Sequence, residues 1–485
     1  MKYLVTGKEM REYDNNTILY GGIDGLTLME RAAEALRKEI LALKCYKKIL
    51  IICGIGNNGG DGLALARLLS DADCEVSICI KGDLQKATES FSEQIRRLKM
   101  YPVIRVDEAE LKSKSKTAYD VVVDALFGVG LSREITDTYS EVIKAMNRFN
   151  AFKIAVDIPS GISADTGKVL GCAFEADMTV TFAYGKIGVY QFPGASYAGK
   201  VKVYDIGIHD ESFRGNIPDI FTYDVNPLDV MPVRKPDGNK GSFGKVLIIA
   251  GFETMTGAAI LCARAAMETG AGMVKVLSPI ENRSILQVAV PEVLYAAANE
   301  WELEKALKWA DVVIAGPGMG KSDLARELLA QLFDTADQPL IIDADALNLL
   351  SEDMVLTQKL CAYQSPKIMT PHMMEFARLT KKTILEVKDD CLSIAKILAK
   401  EYHSIVVAKD ARTFVIEGEG PAYLNTTGND GMATAGSGDV LAGIIEHHEI
   451  VCVVTQPDAM AGRGHQVRFN PVKQFAVDNG IPVLQ

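Results

Sequence analysis

The chain has 485 residues, 48% of them hydrophobic and 24% charged, with a formal net charge of −11 at pH 7. That length exceeds what one core usually fills, so two domains of similar size are expected. The acidic balance argues against a nucleic-acid-binding surface, and no apolar run approaches the ~20 residues that span a bilayer. The N-terminus, Met-Lys-Tyr-Leu-Val-Thr-Gly-Lys-Glu, lacks the long apolar stretch of a secretion signal. The nine cysteines form no Cys-x-x-Cys pair, which reads as reduced thiols in a cytoplasmic protein.

Short β-rich runs alternate with helical patterns from residue 25 to about residue 445. Thr27 with Glu30 reads as a capping box opening a helix over Leu28 to Leu43. Strands are expected at Ile49–Cys53, Val76–Ile80, Val121–Asp124 and Ile154–Asp157. The pattern lapses between about 209 and 242, where Pro218, Pro227, Pro232 and Pro236 cluster, and residues 209–234 read as a domain linker. A second set of strands follows at Val246–Ala250, Met273–Leu277, Val312–Ala315, Leu340–Asp343 and Ile405–Ala408. Strands this apolar are buried on both faces, as in parallel sheets covered by helices. The expected fold class is therefore α/β, in two domains.

After Ile49–Cys53 comes Gly54-Ile-Gly-Asn-Asn-Gly-Gly-Asp61-Gly, then a helix over Leu63–Leu69. The run contains the G-x-G-x-x-G dinucleotide fingerprint, a weak signal alone, because the acid expected at the end of the next strand is replaced by Lys81. Asn57, Asn58 and Asp61 add amides and a carboxylate, which suggests a polar ligand or a cation as well. Two other strand ends carry similar chemistry: Asp124-Ala-Leu-Phe-Gly-Val-Gly-Leu-Ser132 and Asp157-Ile-Pro-Ser160-Gly. Ligands of open α/β sheets bind beyond the carboxyl ends of strands. Asn58, Asp124 and Ser160 could converge there as hard oxygen ligands for a monovalent or small divalent cation, although each aspartate alone could equally cap a loop.

Together, Gly56-Asn-Asn-Gly-Gly-Asp-Gly62, Asp124 to Gly130, Asp157-Ile-Pro-Ser-Gly161 and Thr179-Val-Thr-Phe182 followed by Lys186 make residues 1–208 resemble the epimerase domain of the NAD(P)H-hydrate repair enzymes. The resemblance implies a Rossmann-like domain that interconverts the R and S epimers at C6 of hydrated NADH or NADPH (NADHX, NADPHX), with a potassium ion in the site. It implies potassium on Asn58, Asp124 and Ser160. It places the hydrate against Asn57, Asn58, Gly59, Gly60, Asp61, Gly128, Val129, Gly130, Leu131, Ser132, Arg133 and Asp157. Asp157, at a strand end, is the acid/base expected to open and reclose the hydrated ring.

The second half opens with Gly241-Ser-Phe-Gly-Lys-Val-Leu-Ile-Ile-Ala-Gly251, followed by Met255-Thr-Gly-Ala-Ala-Ile-Leu261 on a helix. Gly316-Pro-Gly-Met-Gly-Lys-Ser322 falls one residue short of a P-loop and reads instead as a close backbone approach to a ligand. Asp343-Ala-Asp345-Ala-Leu-Asn348 ends one strand, and Met369-Thr-Pro-His372 ends the next. Lys409-Asp-Ala-Arg-Thr413 lies between two short strands, where a basic side chain and backbone amides could meet a phosphate. The richest stretch is Asn425 to Gly443, which packs small residues around Asp439 just before the apolar run Val440, Leu441, Ile444, Ile445. Glycines 436 and 438 allow close approach to a ligand. A helix starting there would aim its positive end at a phosphate, and the acid could take a proton from a substrate hydroxyl. A Gly-rich helix cap is the plainer alternative.

Over residues 235–446 these elements resemble the ADP-dependent NAD(P)H-hydrate dehydratase, a ribokinase-like fold. The resemblance implies phosphorylation of the C6 hydroxyl from ADP (ATP in eukaryotic relatives), with magnesium, and elimination of phosphate to restore NAD(P)H. Asp439 would be the base, with the Gly436-Ser-Gly438 amides stabilising the phosphoryl charge. Ala258, Gly318, His372 and Asp439 would contact the hydrate. Lys409, Asp410, Ala411, Arg412, Thr413 and Gly438 would contact the nucleotide.

From about His447 the chain instead reads His448-Glu-Ile-Val-Cys-Val-Val-Thr-Gln-Pro-Asp458, Ala461-Gly-Arg-Gly464 and Pro471-Val-Lys473. Residues 447–485 are similar to a segment of methionyl-tRNA formyltransferase, without its catalytic region. The expectation is a helix after Asp439 cut to a turn or two and an impaired dehydratase half. A homo-oligomer acting on NADHX, NADPHX and ADP, with no nucleic-acid or membrane partner, is expected. Two other readings stay open: a ribokinase-like kinase of a vitamin precursor or sugar, and a non-catalytic nucleotide-binding protein.

Overall fold

A computed structural model describes residues 2–43, 47–223, 237–447, 459–461 and 466–468. The chain divides into two units, Met1–Thr222 and Tyr223–Gln485. In the first unit the strands are β1 (Lys2–Val5), β2 (Lys48–Cys53), β3 (Glu75–Ile80), β4 (Ile104–Arg105), β5 (Val121–Ala125), β6 (Phe152–Val156), β7 (Met178–Phe182), β8 (Gly185–Lys186), β9 (Lys200–Tyr204) and β10 (Ile220–Thr222). Seven of them form a wholly parallel sheet in the order β4-β3-β2-β5-β6-β7-β9. The chain leaves β2 towards one edge and returns beside it at β5, so the crevice of this doubly wound sheet opens between the ends of β2 and β5.

Alternation explains why these strands are apolar throughout. Ile49, Ile51, Val121, Val123 and Ile154 belong to one buried cluster, while Leu50, Ile52, Val122 and Ala155 belong to another. Successive side chains point to opposite faces, and both faces carry helices.

Several boundaries differ from the sequence reading. The helix expected from Leu28 begins at Gly25, capped by the Asp24 carboxylate, which accepts from the Thr27 amide at 3.0 Å. The Thr27–Glu30 box does not form, because Glu30 bonds instead to Arg67, Gln94 and Arg97. The helix expected over Leu63–Leu69 runs over Asn57–Ser70, so Asn57 to Asp61 occupy its first turns and not a preceding loop. An unanticipated helix, Gly7–Tyr20, is closed by a Thr6–Glu9 capping box. Residues 209–222, assigned to the linker, contain a 3-10 turn and β10, which pairs antiparallel with β1. Backbone groups satisfied by β1 make them part of the N-terminal unit; residues 224–234 of the linker reading lie outside the described residues.

In the second unit the strands are β11 (Lys245–Ile249), β12 (Met273–Ser278), β13 (Leu294–Ala297), β14 (Val312–Ala315), β15 (Leu340–Ile342), β16 (Lys367–Met369), β17 (Ile405–Ala408), β18 (Phe414–Glu417) and β19 (Ala422–Leu424). They run β13-β12-β11-β14-β15-β16-β17-β18-β19, parallel as far as β17 and antiparallel beyond it. The helix carrying Asp439 is described over Ser437–His447, eleven residues, so that about two turns follow Asp439, in line with the turn or two expected. It packs on the Thr256–Thr269 helix so closely that a Cβ at Gly443 would stand 2.3 Å from the Cys262 carbonyl oxygen. Of the formyltransferase-like tail, Ala459–Ala461 and Gln466–Arg468 pair antiparallel; the rest of 448–485 lies outside the described residues.

Gly443→Ala is expected to push these two helices apart and to destabilise the C-terminal unit by about 1–3 kcal/mol, the usual cost of overpacking. A denaturant titration of that unit's unfolding transition measures it; an unchanged midpoint would contradict the close packing.

Candidate active sites

Beyond the carboxyl ends of β2, β5 and β6 lies a cavity of about 830 Å³. Its wall includes Asn57, Asn58, Asp61, the whole run Gly128, Val129, Gly130, Leu131, Ser132, Arg133, and Asp157. Gly59 and Gly60 sit behind the wall: a Cβ at Gly59 would lie 1.8 Å from the Gly54 carbonyl oxygen, and one at Gly60 would strike Met29. Their part is to let the helix start tight against the strand end. Lys81 also faces the cavity, where it pairs with Glu108 at 2.6 Å and lies 5.2 Å from the Tyr139 ring centroid.

Asp157 follows β6 in the left-handed region, with φ of +65°. That conformation is uncommon for a non-glycine residue and is held here by its surroundings. Its Oδ1 accepts from Thr181 Oγ1 at 2.9 Å and from Lys186 Nζ at 2.5 Å. Lys186 is only 1% exposed and also donates to the Thr181 hydroxyl and the Phe182 carbonyl. A buried ammonium with three acceptors is well paired. Asp14, on the Gly7–Tyr20 helix, lines the same cavity. Burial pushes its carboxyl up to about 6, nearby Lys186 opposes that, and Asp157 adds to it. Burial, with Asp157 and Asp14 beside it, pushes Asp61 well above the usual carboxylate range.

Asp124 is fully buried at the end of β5. It accepts from Ser160 N and Ser160 Oγ, both at 2.7 Å, and from Leu126 N at 3.1 Å. Even so, burial pushes its carboxyl up to about 6. Asn58 reaches the same 126–130 loop from the helix side; a Cβ at Gly128 would lie 3.2 Å from its amide. Among the described residues the Asn58 Nδ2 is buried with no hydrogen-bond partner. An orphaned amide, whose O and N are interchangeable assignments, beside a buried carboxylate and a hydroxyl is a donor set that suits a hard cation.

In the second unit the predicted groups lie along the carboxyl ends of β14 to β17. Gly316 has φ of +126°, and a Cβ there would lie 1.8 Å from the Asp343 carbonyl oxygen, so no other residue fits between β14 and β15. A Cβ at Gly318 would meet Ala258 at 2.9 Å, which brings those two expected contacts together. Lys321 pairs with Glu352 and Ser322 caps the Asp323–Thr335 helix, so neither acts as in a P-loop.

Asp343 is 1% exposed and accepts from Thr370 Oγ1 at 2.6 Å and Lys409 Nζ at 2.7 Å. Lys409 lies in turn 3.6 Å from where a Cβ on Gly438 would stand. Asp439 follows in the first turn of its helix. Burial pushes the Asp439 carboxyl up to about 6; Asp343 and Asp345 reinforce this and Lys409 opposes it. His372 caps the Met373–Thr380 helix, its Nδ1 accepting from the Met374 and Glu375 amides while its Nε2 faces Glu375. The rest of the expected nucleotide loop turns to other partners: Asp410 pairs with Lys388, Arg412 donates to the Thr427 carbonyl and Thr413 to the Asp410 carbonyl, with Ala411 exposed between them.

Sequence reasoning missed Asp14, Lys186 as the partner of Asp157, and Asp343 as the partner of Lys409. Arg11, Asp14, Asn15 and Ile18 all face the cavity; that i, i+3, i+4, i+7 stripe is the signal that could have found Asp14.

The NAD(P)H-hydrate dehydratase family model matches residues 246–455, past the boundary expected at residue 447, and the model described as YjeF-related protein N-terminus matches residues 25–188. The bifunctional NAD(P)H-hydrate repair enzyme Nnr of Thermofilum pendens is 35% identical over 453 residues, covering 90% of this chain and 85% of the relative. That of Moorella thermoacetica is 34% identical over 475 residues, covering 91% and 87%. Among solved structures, the ADP/ATP-dependent NAD(P)H-hydrate dehydratase from Bacillus subtilis, co-crystallised with ATP/Mg2+, is 28% identical with a TM-score of 0.39, covering 44% of this chain and 75% of that one.

A carboxyl whose pKa is raised by folding binds its proton more tightly folded than unfolded, so stability falls as pH rises through the window between the two values. For Asp439 that window runs from the ordinary 3.8 to about 6. Asp439→Asn removes the loss. The variant is expected to melt above wild type at neutral pH, by about 2–4 °C per kcal/mol recovered, and to match it in acid below the window. Equal melting at neutral pH would contradict the shift.

Proposed function

The chain belongs to the bifunctional NAD(P)H-hydrate repair family, and we propose that its N-terminal site interconverts the R and S epimers of NADHX and NADPHX at C6, while its C-terminal site uses ADP to dehydrate the S form to NAD(P)H. The observation that carries this reading is that both halves match, at over 30% identity and over nine-tenths of the chain. A ribokinase-like kinase of another substrate would leave the N-terminal match and the cavity around Asp157 without a use.

The chemistry of the residues supports it. Asp157, held by Lys186 and Thr181, serves as the acid/base at the hydrated ring. Potassium, where Asn58, Asp124 and Ser160 would hold it, would supply the positive charge that a buried Asp124 lacks. In the C-terminal site Asp439 takes the proton of the C6 hydroxyl as phosphoryl transfer from ADP begins. The amides of Gly436, Ser437 and Gly438, at the start of an eleven-residue helix, face the developing negative charge. Magnesium would accompany the nucleotide, and the neighbouring Asp343, Asp345 and Asp439 form an acidic surround that favours a divalent cation.

Residues 447–485 keep their formyltransferase-like reading on motif alone, and the family match to residue 455 counts against a start at 447. No helix among the described residues is long and apolar enough to cross a membrane; a cytoplasmic homo-oligomer is the proposed form.

The purified chain, given mixed NADHX epimers with ADP and potassium, is expected to restore the near-ultraviolet absorbance of the reduced nicotinamide. Asp439→Asn should slow that recovery by about 10²–10⁴; recovery that does not need ADP would sink the C-terminal assignment. Asp157→Asn should leave the R epimer unconverted even when an intact dehydratase is added, and full epimerisation by a folded variant would refute its role. Potassium should raise the melting temperature of the N-terminal unit above that in tetramethylammonium, as a ligand bound only to the folded state does. Asp124→Asn should erase the difference, and a variant that keeps it would exclude the cation site.

A further inference from the structure

The Gly7–Tyr20 helix contributes Arg11, Asp14, Asn15 and Ile18 to the cavity that also holds Asp61, Asp157 and Lys186. The helix is pinned at its N-terminus, where Gly7 N donates to Asp165 Oδ1 at 2.7 Å, and from its other face, where Tyr13 Oη donates to the Asn216 carbonyl at 2.7 Å and Asn16 Nδ2 to the Ser212 carbonyl at 2.8 Å. Asp14 is thus placed by secondary structure and not by a loop. Among the described residues it accepts no hydrogen bond and forms no ion pair, so its carboxyl is open to the cavity. Asp157, by contrast, is committed to Lys186 and Thr181.

We propose that Asp14 is a second catalytic carboxyl of the N-terminal site, delivering a proton to the ring nitrogen while Asp157 takes one from the C6 hydroxyl. This rests on the epimerase reading above and deepens it. The step balances. Asp157, a carboxylate in its ion pair, removes the hydroxyl proton, and the O–H pair becomes the carbonyl π bond. The C6–N1 bond breaks with its electrons going to N1, which receives the Asp14 proton. The freed aldehyde turns about C5–C6, N1 adds to its other face and returns its proton to Asp14, and Asp157 reprotonates the oxygen. Both carboxyls end as they began and nothing else is consumed.

Ring opening at a neutral amine nitrogen needs an acid as well as a base, and two carboxyls in unlike surroundings are the usual source of such a pair. Asp14 suits the acid: burial keeps its carboxyl near 6, where it can both give and regain a proton. Asp61, which burial holds well above the usual carboxylate range, suits a fixed hydrogen-bond donor to the ligand. Arg11, Lys81 and Arg133 are the other charged groups on the wall, and Lys81 is occupied by Glu108.

The test follows conversion of the R epimer by the full chain, with an intact dehydratase and ADP in excess. Asp14→Asn is expected to lose about 100-fold or more in kcat, the scale of general acid–base catalysis, with KM changed by less than about threefold. Asp14→Glu, which keeps the carboxyl, is expected to retain at least about a tenth of wild-type kcat. Asp14→Asn within about threefold of wild-type kcat, or Asp14→Glu as slow as Asp14→Asn, overturns the assignment. Should Asp14→Asn fail to melt as wild type does, the Asp14→Glu rate decides alone, and less than about a tenth overturns it. Wild type that leaves the R epimer unconverted overturns the epimerase reading and this assignment together, which separates the two failures.

Discussion

A carboxylate buried at the end of a β-strand must be neutralised, and that demand organises both halves of the chain. Asp157 after β6 and Asp343 after β15 each sit at a carboxyl edge with a lysine brought to them from a later part of the chain: Lys186 for the first, Lys409 for the second. In each case a threonine hydroxyl, Thr181 or Thr370, supplies a further donor. Breaking such a buried pair by removing one partner typically costs about 3–5 kcal/mol, so the ion pairs tie the order of each site to the order of its sheet. Asp124 is the exception, with hydroxyl and amide donors but, among the described residues, no cationic side chain.

Three other acids near these pairs are in the opposite condition. Asp14, Asp61 and Asp439 each lie close to a neutralised aspartate whose residual charge, added to desolvation, favours their protonated forms. Each site therefore couples an ion-paired carboxylate to a titratable neighbour. That is the arrangement proton transfer requires, and in the proposed reactions one architectural device serves ring opening in one half and hydroxyl activation in the other.

Much of this was legible in the residues. The strands were readable because burial on both faces demands unbroken apolar runs, and their ends were readable because an acid or glycine closes most of the runs. Of the residues that the family resemblance set against the ligand, Asn57, Asn58, Asp61, Gly128 to Arg133 and Asp157 do line the cavity, while Gly59 and Gly60 lie behind its wall. Helix starts were less legible. Thr27 and Glu30 have the spacing of a capping box, yet Asp24 takes the cap and Glu30 is drawn off by Arg67 and Arg97. Asn57 and Gly59 read as loop because amides and glycines favour turns, and tertiary packing of the helix against Gly54 overrode that preference. Residues 209–222 read as linker because a three-residue strand such as β10 gives no periodicity; only its partner β1 makes it one.

The sequence by itself determined the α/β class, the two-unit organisation, the positions of most strands and the chemical character of both sites, because these depend on local composition and on spacing along one chain. Only the tertiary structure decided which groups meet. The pairing of Asp157 with Lys186 and of Asp343 with Lys409 joins residues far apart in the chain, and Asp14 enters the cavity because a helix packed elsewhere turns one stripe towards it. Desolvation, which raises the carboxyls of Asp14, Asp124 and Asp439 alike, is likewise a property of the surroundings that the fold assembles.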